Sequence, residues 1–356
     1  MNKIKMSVIV PTHGRVGLFK ETLKSLLMQT SKEFEIIVTD DSSNEEEQIA
    51  IKKLVEDAMT ENKEINIKYI FSVPNLLQAK NTNQGLEKAS GEYLRILHSD
   101  DILAPKCIET EIEAFDENPE CYFLNHSARP FCGDFKYKEN ERVYISKFNI
   151  FDAWIKKAIF TGCVLPTSLA FRKEVYLNIG GMNEHYKFLC DWDFFFRILL
   201  NEYLCVRNEA LFISGSLTGW RQHNDSITST MSLTHFTEFG ELLRSIISEY
   251  KKHKILKKKD LNKEIKRAIE YRYNRLLDDY EKYGNFILPK LPLKYLKRDK
   301  YAKMFDSFCK LKKHVKKFFK PFNCILDWCI QPLSILFYLC SFLFNSFIFV
   351  ISKKEV

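Results

Sequence analysis

The chain has 356 residues, of which 46% are hydrophobic and 14% aromatic, with only 12 Gly and 10 Pro. This composition excludes wholesale disorder and is typical of a protein that buries a substantial core. The net charge of +8 is divided unevenly: residues 251–356 carry 26 Lys and Arg against 10 Asp and Glu, and residues 1–250 carry 28 against 36. We therefore expect an acidic body and a basic region that binds nucleic acid or an anionic membrane.

The first hundred residues alternate between short apolar runs and helical patterns. The predicted strands are residues 6–10, 34–38, 67–71 and 93–97. The predicted helices cover residues 18–29, the region around 49–55, and residues 78–88. Strands that alternate with helices predict a parallel α/β sheet with right-handed crossovers.

Polar clusters follow three of these strands directly. They are residues 11–15, residues 39–43 and residues 98–101. Because ligands of such sheets bind at the carboxyl ends of the strands, we expect a ligand site there.

Two pairs of adjacent acids stand out in these clusters. Asp40 and Asp41 could accept hydrogen bonds from a base or ribose, or one of them could cap the next helix. Asp100 and Asp101 repel each other unless a cation lies beside them, and oxygen ligands suit Mg²⁺ or Mn²⁺. A solvated turn with a helix cap is the alternative for this second pair.

A third acidic group, Asp191 and Asp193, begins a predicted helix with an aromatic face. Acids in a first helical turn often only complement the helix dipole. A carboxylate beside Trp192 and three Phe could instead be partly desolvated, which would make it a stronger base.

Six motifs in order resemble those of family 2 glycosyltransferases, which are inverting enzymes of the GT-A fold, a Rossmann-like α/β architecture. The motifs are residues 7–15 (SVIVPTHGR), 36–42 (IIVTDDS), 79–81 (AKN), 98–101 (HSDD), 180–184 (GGMNE) and 191–193 (DWD). The resemblance covers residues 5 to about 230, and it implies transfer of a sugar from a nucleoside diphosphate to an acceptor hydroxyl.

The resemblance also implies a role for individual residues. The implied contacts to the nucleotide sugar are Pro11, His13, Arg15, Asp40, Lys80, Asp100 and Arg221. Asp101 and His223 are implied ligands of a divalent cation, Mn²⁺ or Mg²⁺, although His223 could equally be an ordinary loop histidine. Asp191 matches the catalytic base.

Three residues depart from the family pattern. His13 replaces a frequent Tyr, His98 replaces a more usual acid, and Cys190 replaces the Glu that commonly precedes the base. None of these changes removes a group that a single displacement requires. They leave the donor sugar undefined, and a UDP-sugar is the expectation favoured by the family.

The rest of the chain predicts two further regions after a glycosyltransferase domain at residues 1–235. Residues 236–320 predict a basic helical extension, and residues 321–356 predict an apolar, membrane-associating segment. Residues 333–351 are just long enough to cross a bilayer, and the lysines of residues 310–320 favour the cytosolic side. The alternative is an apolar helix packed on the catalytic domain or in a dimer.

The location follows from this tail and from the cysteines. The ten cysteines include no CxxC pair, which suits free thiols in a reducing compartment. We expect the cytoplasmic face of the inner membrane, a glycan or polyprenyl-linked acceptor, and a role in lipopolysaccharide, capsule or other surface-glycan assembly. The polyprenyl acceptor rests on analogy alone.

Other classes fit the sequence less well. A dehydrogenase or nucleotidyltransferase would place a glycine-rich loop after the first strand, where this chain has Thr12-His-Gly-Arg15. A nucleic-acid partner would explain the basic region but not the apolar segment after it. A non-catalytic GT-A module that binds a nucleotide sugar or scaffolds a membrane complex is the remaining alternative.

Overall fold

A computed structural model describes residues 3–72, 75–137, 142–155, 166–223, 233–265 and 267. Its strands are β1 (Met6–Thr12), β2 (Phe34–Asp40), β3 (Asn66–Phe71), β4 (Tyr93–Ile96), β5 (Ile102–Leu103), β6 (Phe123–Phe131), β7 (Ile145–Asn149), β8 (Leu169–Arg172) and β9 (Glu209–Arg221). Its α-helices are α1 (Val16–Leu27), α2 (Glu45–Glu61), α3 (Leu77–Lys88), α4 (Cys107–Glu117), α5 (Lys173–Ile179), α6 (Cys190–Leu204) and α7 (Leu233–Lys252).

The nine strands form one mixed sheet with the order β3-β2-β1-β4-β8-β6-β9-β5, and β7 pairs with β9. The first four strands are parallel, as the sequence predicts. Beyond these four strands the sheet is mixed, because β8 is antiparallel to both β4 and β6. The sheet therefore has a parallel half followed by a mixed half.

The parallel half is covered on both faces, which explains its continuous apolar runs. Every residue of β1 and β2 is buried. Helix α1 buries Phe19, Leu23 and Leu26 in the same core. Val8 of β1 pairs with Ile36 of β2 and with Arg95 of β4, so the carboxyl ends of these strands lie along one edge of the sheet.

Helices α6 and α7 contact each other through their aromatic side chains. The ring of Trp192 in α6 lies 5.5 Å from that of Phe239 in α7, and Phe196 lies 6.0 Å from Tyr250. Helix α7 therefore packs on α6, and it crosses the predicted domain limit at residue 235.

The described residues contain no helix long and apolar enough to cross a membrane. The predicted membrane-associating segment, residues 321–356, lies outside the described residues. Most of the predicted basic extension, residues 236–320, also lies outside them.

Candidate active site

A cleft of about 570 Å³ opens at the carboxyl ends of β1, β2 and β4. It is lined from the first half of the chain by Pro11, Thr12, His13, Gly14, Arg15, Asp41, Glu47, Asn75, Leu77, Gln78, Asn81, His98, Ser99, Asp100 and Asp101. The second half of the chain contributes Lys187, Phe188, Asp191, Trp220 and Arg221. The structure thus brings together residues that are up to 210 positions apart in the chain.

The loop after β1 forms one wall of this cleft and is held to the next strand and helix. The Gly14 amide donates to Ser42 Oγ at 2.7 Å, and the Arg15 amide donates to Glu47 Oε1 at 3.1 Å. Gly14 has φ 62° and Arg15 has φ 52°, so both adopt the left-handed conformation that turns the chain into α1. The predicted contacts Pro11, His13 and Arg15 all face the cleft.

The two acids at the end of β2 point to different places. Asp40 is fully buried, where Oδ1 accepts from the Ser42 amide at 2.9 Å and Oδ2 accepts from the Tyr69 hydroxyl at 2.8 Å. Asp41 lines the cleft, and its Oδ1 lies 3.2 Å from His13 Nδ1 and 3.1 Å from the Asn81 Nδ2 donor. Asp41, which is 2% exposed, lines the cleft and Asp40 does not; contact of Asp40 with a nucleotide base stays a prediction.

Lys80 does not line the cleft either. It lies on the exposed side of α3, whereas Leu77, Gln78 and Asn81 of the same helix face the ligand space. The helical period explains the difference, because residues 77, 78 and 81 share one face and residue 80 does not. The structure thus places Lys80 outside the cleft, and its contact with the donor stays a prediction.

Asp100 is held ionised by its neighbours. Its Oδ2 accepts from Arg15 Nη1 at 2.7 Å and lies 3.1 Å from His223 Nε2. Burial alone would raise the pKa of this carboxyl, but the charges of His98, Arg15 and His223 outweigh burial and lower its pKa. The predicted residues Arg15, Asp100 and His223 are thus in direct contact.

Asp101 is the least satisfied carboxylate of the cleft. It is 1% exposed; Oδ1 accepts from the Arg221 amide at 2.9 Å, and Oδ2 has no hydrogen-bond partner among the described residues. Burial raises the pKa of Asp101 to about 6, and the charge of Asp100 adds to this rise. A buried carboxylate with a free oxygen is the arrangement that a bound cation would stabilise.

His98, Asp100 and Asp101 fit a divalent cation. Each offers one ligand atom, and these atoms lie within 4.8 Å of one another. The carboxylate oxygens suit Mn²⁺ or Mg²⁺, whereas the imidazole nitrogen is a more usual ligand of the later transition metals. His223 was the predicted second ligand, but the set within this distance has His98 instead, and His223 contacts Asp100.

The Arg221 side chain joins the backbone at Asp100 to helix α1. Its Nε donates to the Asp100 carbonyl at 2.8 Å, and its Nη2 donates to Glu21 Oε2 at 2.5 Å. The side chain is 93% buried by these partners and by Phe131. Arg221 therefore lines the cleft as predicted, with a guanidinium that mainly fixes the turn at Asp100.

Asp191 lies at the start of α6, in the same cleft as Asp41, Asp100 and Asp101. Its Oδ1 accepts from the Trp192 amide at 2.7 Å. Asp193, two residues on, is buried and pairs with Arg197 at 2.7 Å. Burial raises the pKa of the Cys190 thiol well above its ordinary value, and the charge of Asp191 adds to this. Cys190 therefore stays protonated and cannot act as the base.

Several cleft residues were not predicted from the sequence. Asn81 donates to the Thr12 and Thr39 carbonyls and to Asp41, so it joins β1, β2 and α3 below the cleft. Lys187 lies 5.4 Å from the centre of the Phe188 ring and forms no ion pair with the described carboxylates. Only Asn81 had a sequence signal, its place in a motif; Lys187 lies between two motifs.

Comparison with known sequences finds similarity to a family of enzymes. Residues 7–180 match the profile described as Glycosyl transferase family 2. An uncharacterized glycosyltransferase of Haemophilus influenzae is 27% identical over 201 residues, which are 54% of this chain and 62% of the relative. A GalNAc(5)-diNAcBac-PP-undecaprenol beta-1,3-glucosyltransferase of Campylobacter jejuni is 35% identical over 34% of this chain and 38% of the relative. The chain thus spans less than two thirds of these relatives.

Solved structures share the fold. S. aureus TarS, residues 1–349, has a TM-score of 0.55 and 19% identity over 82% of this chain and 77% of that chain. The same protein in complex with UDP-GlcNAc has a TM-score of 0.55 and 20% identity over 74% of this chain and 70% of that one. The mixed α/β sheet described above is therefore an arrangement that a nucleotide-sugar-binding protein also uses.

Proposed function

Because residues 7–180 belong to glycosyltransferase family 2, we propose that the chain transfers a sugar from a nucleoside diphosphate sugar to an acceptor hydroxyl with inversion at the anomeric carbon. One observation carries this proposal. Asp191, from beyond the matched residues, lines the same cleft as Asp41, Asp100 and Asp101. In this proposal a base for the acceptor and carboxylates for the donor therefore line one cleft.

The donor binds along the carboxyl edge of the sheet in this proposal. Asp41 and His13 are placed to contact the base or ribose, and Asp100 lies next to them along the sheet edge. His98, Asp100 and Asp101 would hold a Mn²⁺ or Mg²⁺ ion, which when bound offsets the negative charge of the departing diphosphate. The ammonium group of Lys187 faces the same space and can contribute to that neutralisation.

Asp191 acts on the acceptor. Its carboxylate takes the proton of the acceptor hydroxyl as the oxygen attacks the anomeric carbon. The bond from that carbon to the diphosphate oxygen breaks, and the electron pair leaves with the nucleoside diphosphate. Attack from the face opposite the leaving group inverts the configuration.

Similar proteins support particular chemical classes of donor and acceptor for this proposal. The TarS structures contain UDP or UDP-GlcNAc, which favours a UDP-sugar as the donor. The Campylobacter relative is named for a polyprenyl-diphosphate-linked acceptor. We therefore propose a UDP-sugar donor and a lipid-linked or free glycan acceptor in surface-glycan assembly, at the cytoplasmic face of the inner membrane.

A non-catalytic nucleotide-sugar-binding module is the second candidate. It would keep Asp41, Asp100 and Asp101 for the donor and make no use of Asp191. The placement of Asp191 in the cleft favours catalysis over this candidate.

A donor screen tests the proposal. The full chain is heated with each nucleoside diphosphate sugar, with and without Mn²⁺, and the melting temperature is recorded. We expect one donor class to raise the melting temperature only with the cation, and we expect no such rise in Asp101→Ala. Acceptor-dependent release of the nucleoside diphosphate then separates an enzyme from a binding module. Absence of any stabilising donor would contradict both.

A further inference from the structure

A buried carboxylate on α7 holds the loop that leads into α6. Glu238 is 6% exposed. Its Oε1 accepts from the Lys187 amide at 2.8 Å, and its Oε2 accepts from the amides of Phe188 at 2.8 Å and Leu189 at 3.1 Å. Three successive amides of one loop therefore donate to one side chain that is 49 to 51 residues away.

These contacts provide hydrogen-bond partners both for the Glu238 carboxylate and for the backbone amides just before α6. The first amides of a helix and those just before it lack partners within the helix, and they favour a negative charge. A carboxylate that accepts several amide hydrogen bonds is stabilised in its charged form, which offsets the cost of burying it. The three hydrogen bonds thus fix the backbone of residues 187–189.

This loop carries the acceptor side of the cleft. Lys187, Phe188 and Asp191 are its cleft-lining residues, and Asp191 follows the last tethered amide by two positions. One further contact joins the same segments: Trp192 packs on Phe239. The donor carboxylates Asp41, Asp100 and Asp101 lie on other elements.

We propose that Glu238 is a positioning residue for the transfer reaction: its hydrogen bonds to residues 187–189 hold Asp191 and Lys187 at the distance that attack by the acceptor requires. This role rests on the proposed function. Glu238 does not touch the donor or acceptor. Its loss should reduce turnover while leaving donor binding intact, because a reacting group displaced by about 1 Å can cost roughly 100-fold in rate.

The variant Glu238→Gln tests this role, because an amide cannot present acceptor oxygens to all three donors. We expect kcat to fall about 10- to 100-fold, with the donor KM and the affinity for UDP with Mn²⁺ within about twofold of wild type. The control is Glu241→Gln on the same helix, whose partner His185 is 69% exposed. We expect this control to leave kcat unchanged. An unchanged kcat per folded molecule in Glu238→Gln, with only a lower melting temperature, would overturn the proposal.

Amide hydrogen exchange on the full chain gives a readout that does not depend on activity. The amides of residues 187–189 should exchange slowly in the wild type and in Glu241→Gln, and fast in Glu238→Gln. Fast exchange of these amides in the wild type would overturn the proposal even if the variant failed to fold. A wild type with protected amides but no transfer from any donor would refute the proposed function instead.

Discussion

The Asp101 carboxylate is expected to lower the stability of the cation-free protein and to favour the binding of a cation. Its carboxylate is buried with one oxygen free, which raises its pKa to about 6. A cation would use that oxygen, whereas without a cation the Arg221 amide, the charge of His98 and Thr167 only partly offset the cost of burying this carboxylate. The side chain is therefore expected to cost stability in the absence of a ligand.

Asp101→Asn should stabilise the cation-free protein at high pH. The folded pKa lies above the ordinary value of 3.8, so the folded state binds the proton more tightly and loses stability as the pH rises from about 4 to about 6. Asn does not titrate, so at pH 8 we expect the free energy of unfolding to rise by roughly 1–2 kcal/mol. Denaturant titrations at pH 4 and pH 8 check this difference.

The same variant should lose cation-dependent donor binding by at least about 100-fold, since even changes to groups behind metal ligands cost 10- to 100-fold. Asp116→Asn is a suitable control, because Asp116 pairs with Lys5 near the surface. Lower stability of Asp101→Asn at pH 8, with cation-dependent donor binding retained, would contradict the assignment of this carboxylate.

At the scale of the element, strand β2 ends at two adjacent acids, Asp40 and Asp41, that have different surroundings. Asp40 is the last residue of the strand and points to Tyr69 and Ser42, whereas Asp41 follows the strand and faces the cleft. Successive residues of a strand point to opposite sides, so the two acids cannot share one role. The sequence predicts an acid at this place but does not indicate which one.

A matched pair of variants distinguishes the roles of Asp40 and Asp41. Asp40→Asn should lower the free energy of unfolding by about 1–3 kcal/mol, because a buried donor loses its acceptor, and should leave the donor KM unchanged. Asp41→Asn should raise the donor KM about tenfold, the equivalent of about 1.4 kcal/mol. Thermal melts and initial rates at varied donor concentration distinguish them, and an exchange of the two phenotypes would refute the assignment.

The parallel strands were predictable and the remaining strands were not. Local alternation of apolar runs and helical spacing predicted β1 to β4 to within two residues at most ends. The later pairings join distant segments, such as Leu124 with Leu211 and Arg95 with Ala170. Such pairing depends on the whole sheet rather than on local propensity, so the register of β6, β8 and β9 could not be predicted from the sequence.

The contacts of Glu238 also join distant segments, so they could not be predicted from the sequence. Neither α7 nor the loop before α6 contains a motif that links one to the other. The three hydrogen bonds become visible only when the fold places residue 238 next to residues 187–189.

At the scale of the whole molecule, the active site depends on both halves of the sheet. The segments after β2 and β4 contribute Asp41, Asp100 and Asp101, the end of β9 contributes Arg221, and the start of α6 contributes Asp191. The family match ends at residue 180, before Asp191, Arg221 and Glu238. The motif at 191–193 predicted Asp191 as a site residue, and the fold places it in one cleft with Asp41, Asp100 and Asp101. The role of Asp191 as the base stays a prediction. The predicted membrane-associating segment at residues 321–356 stays a prediction.

Asp191→Asn tests the central claim most directly. With the donor identified by the screen, donor affinity and transfer rate are measured for the wild type and the variant in the same cation-containing buffer. We expect the donor affinity to stay within about twofold, because Asp41, Asp100 and Asp101 are unchanged. We expect transfer to fall by about 100- to 10,000-fold, because the acceptor hydroxyl loses its proton acceptor. Full transfer activity in Asp191→Asn would contradict the account.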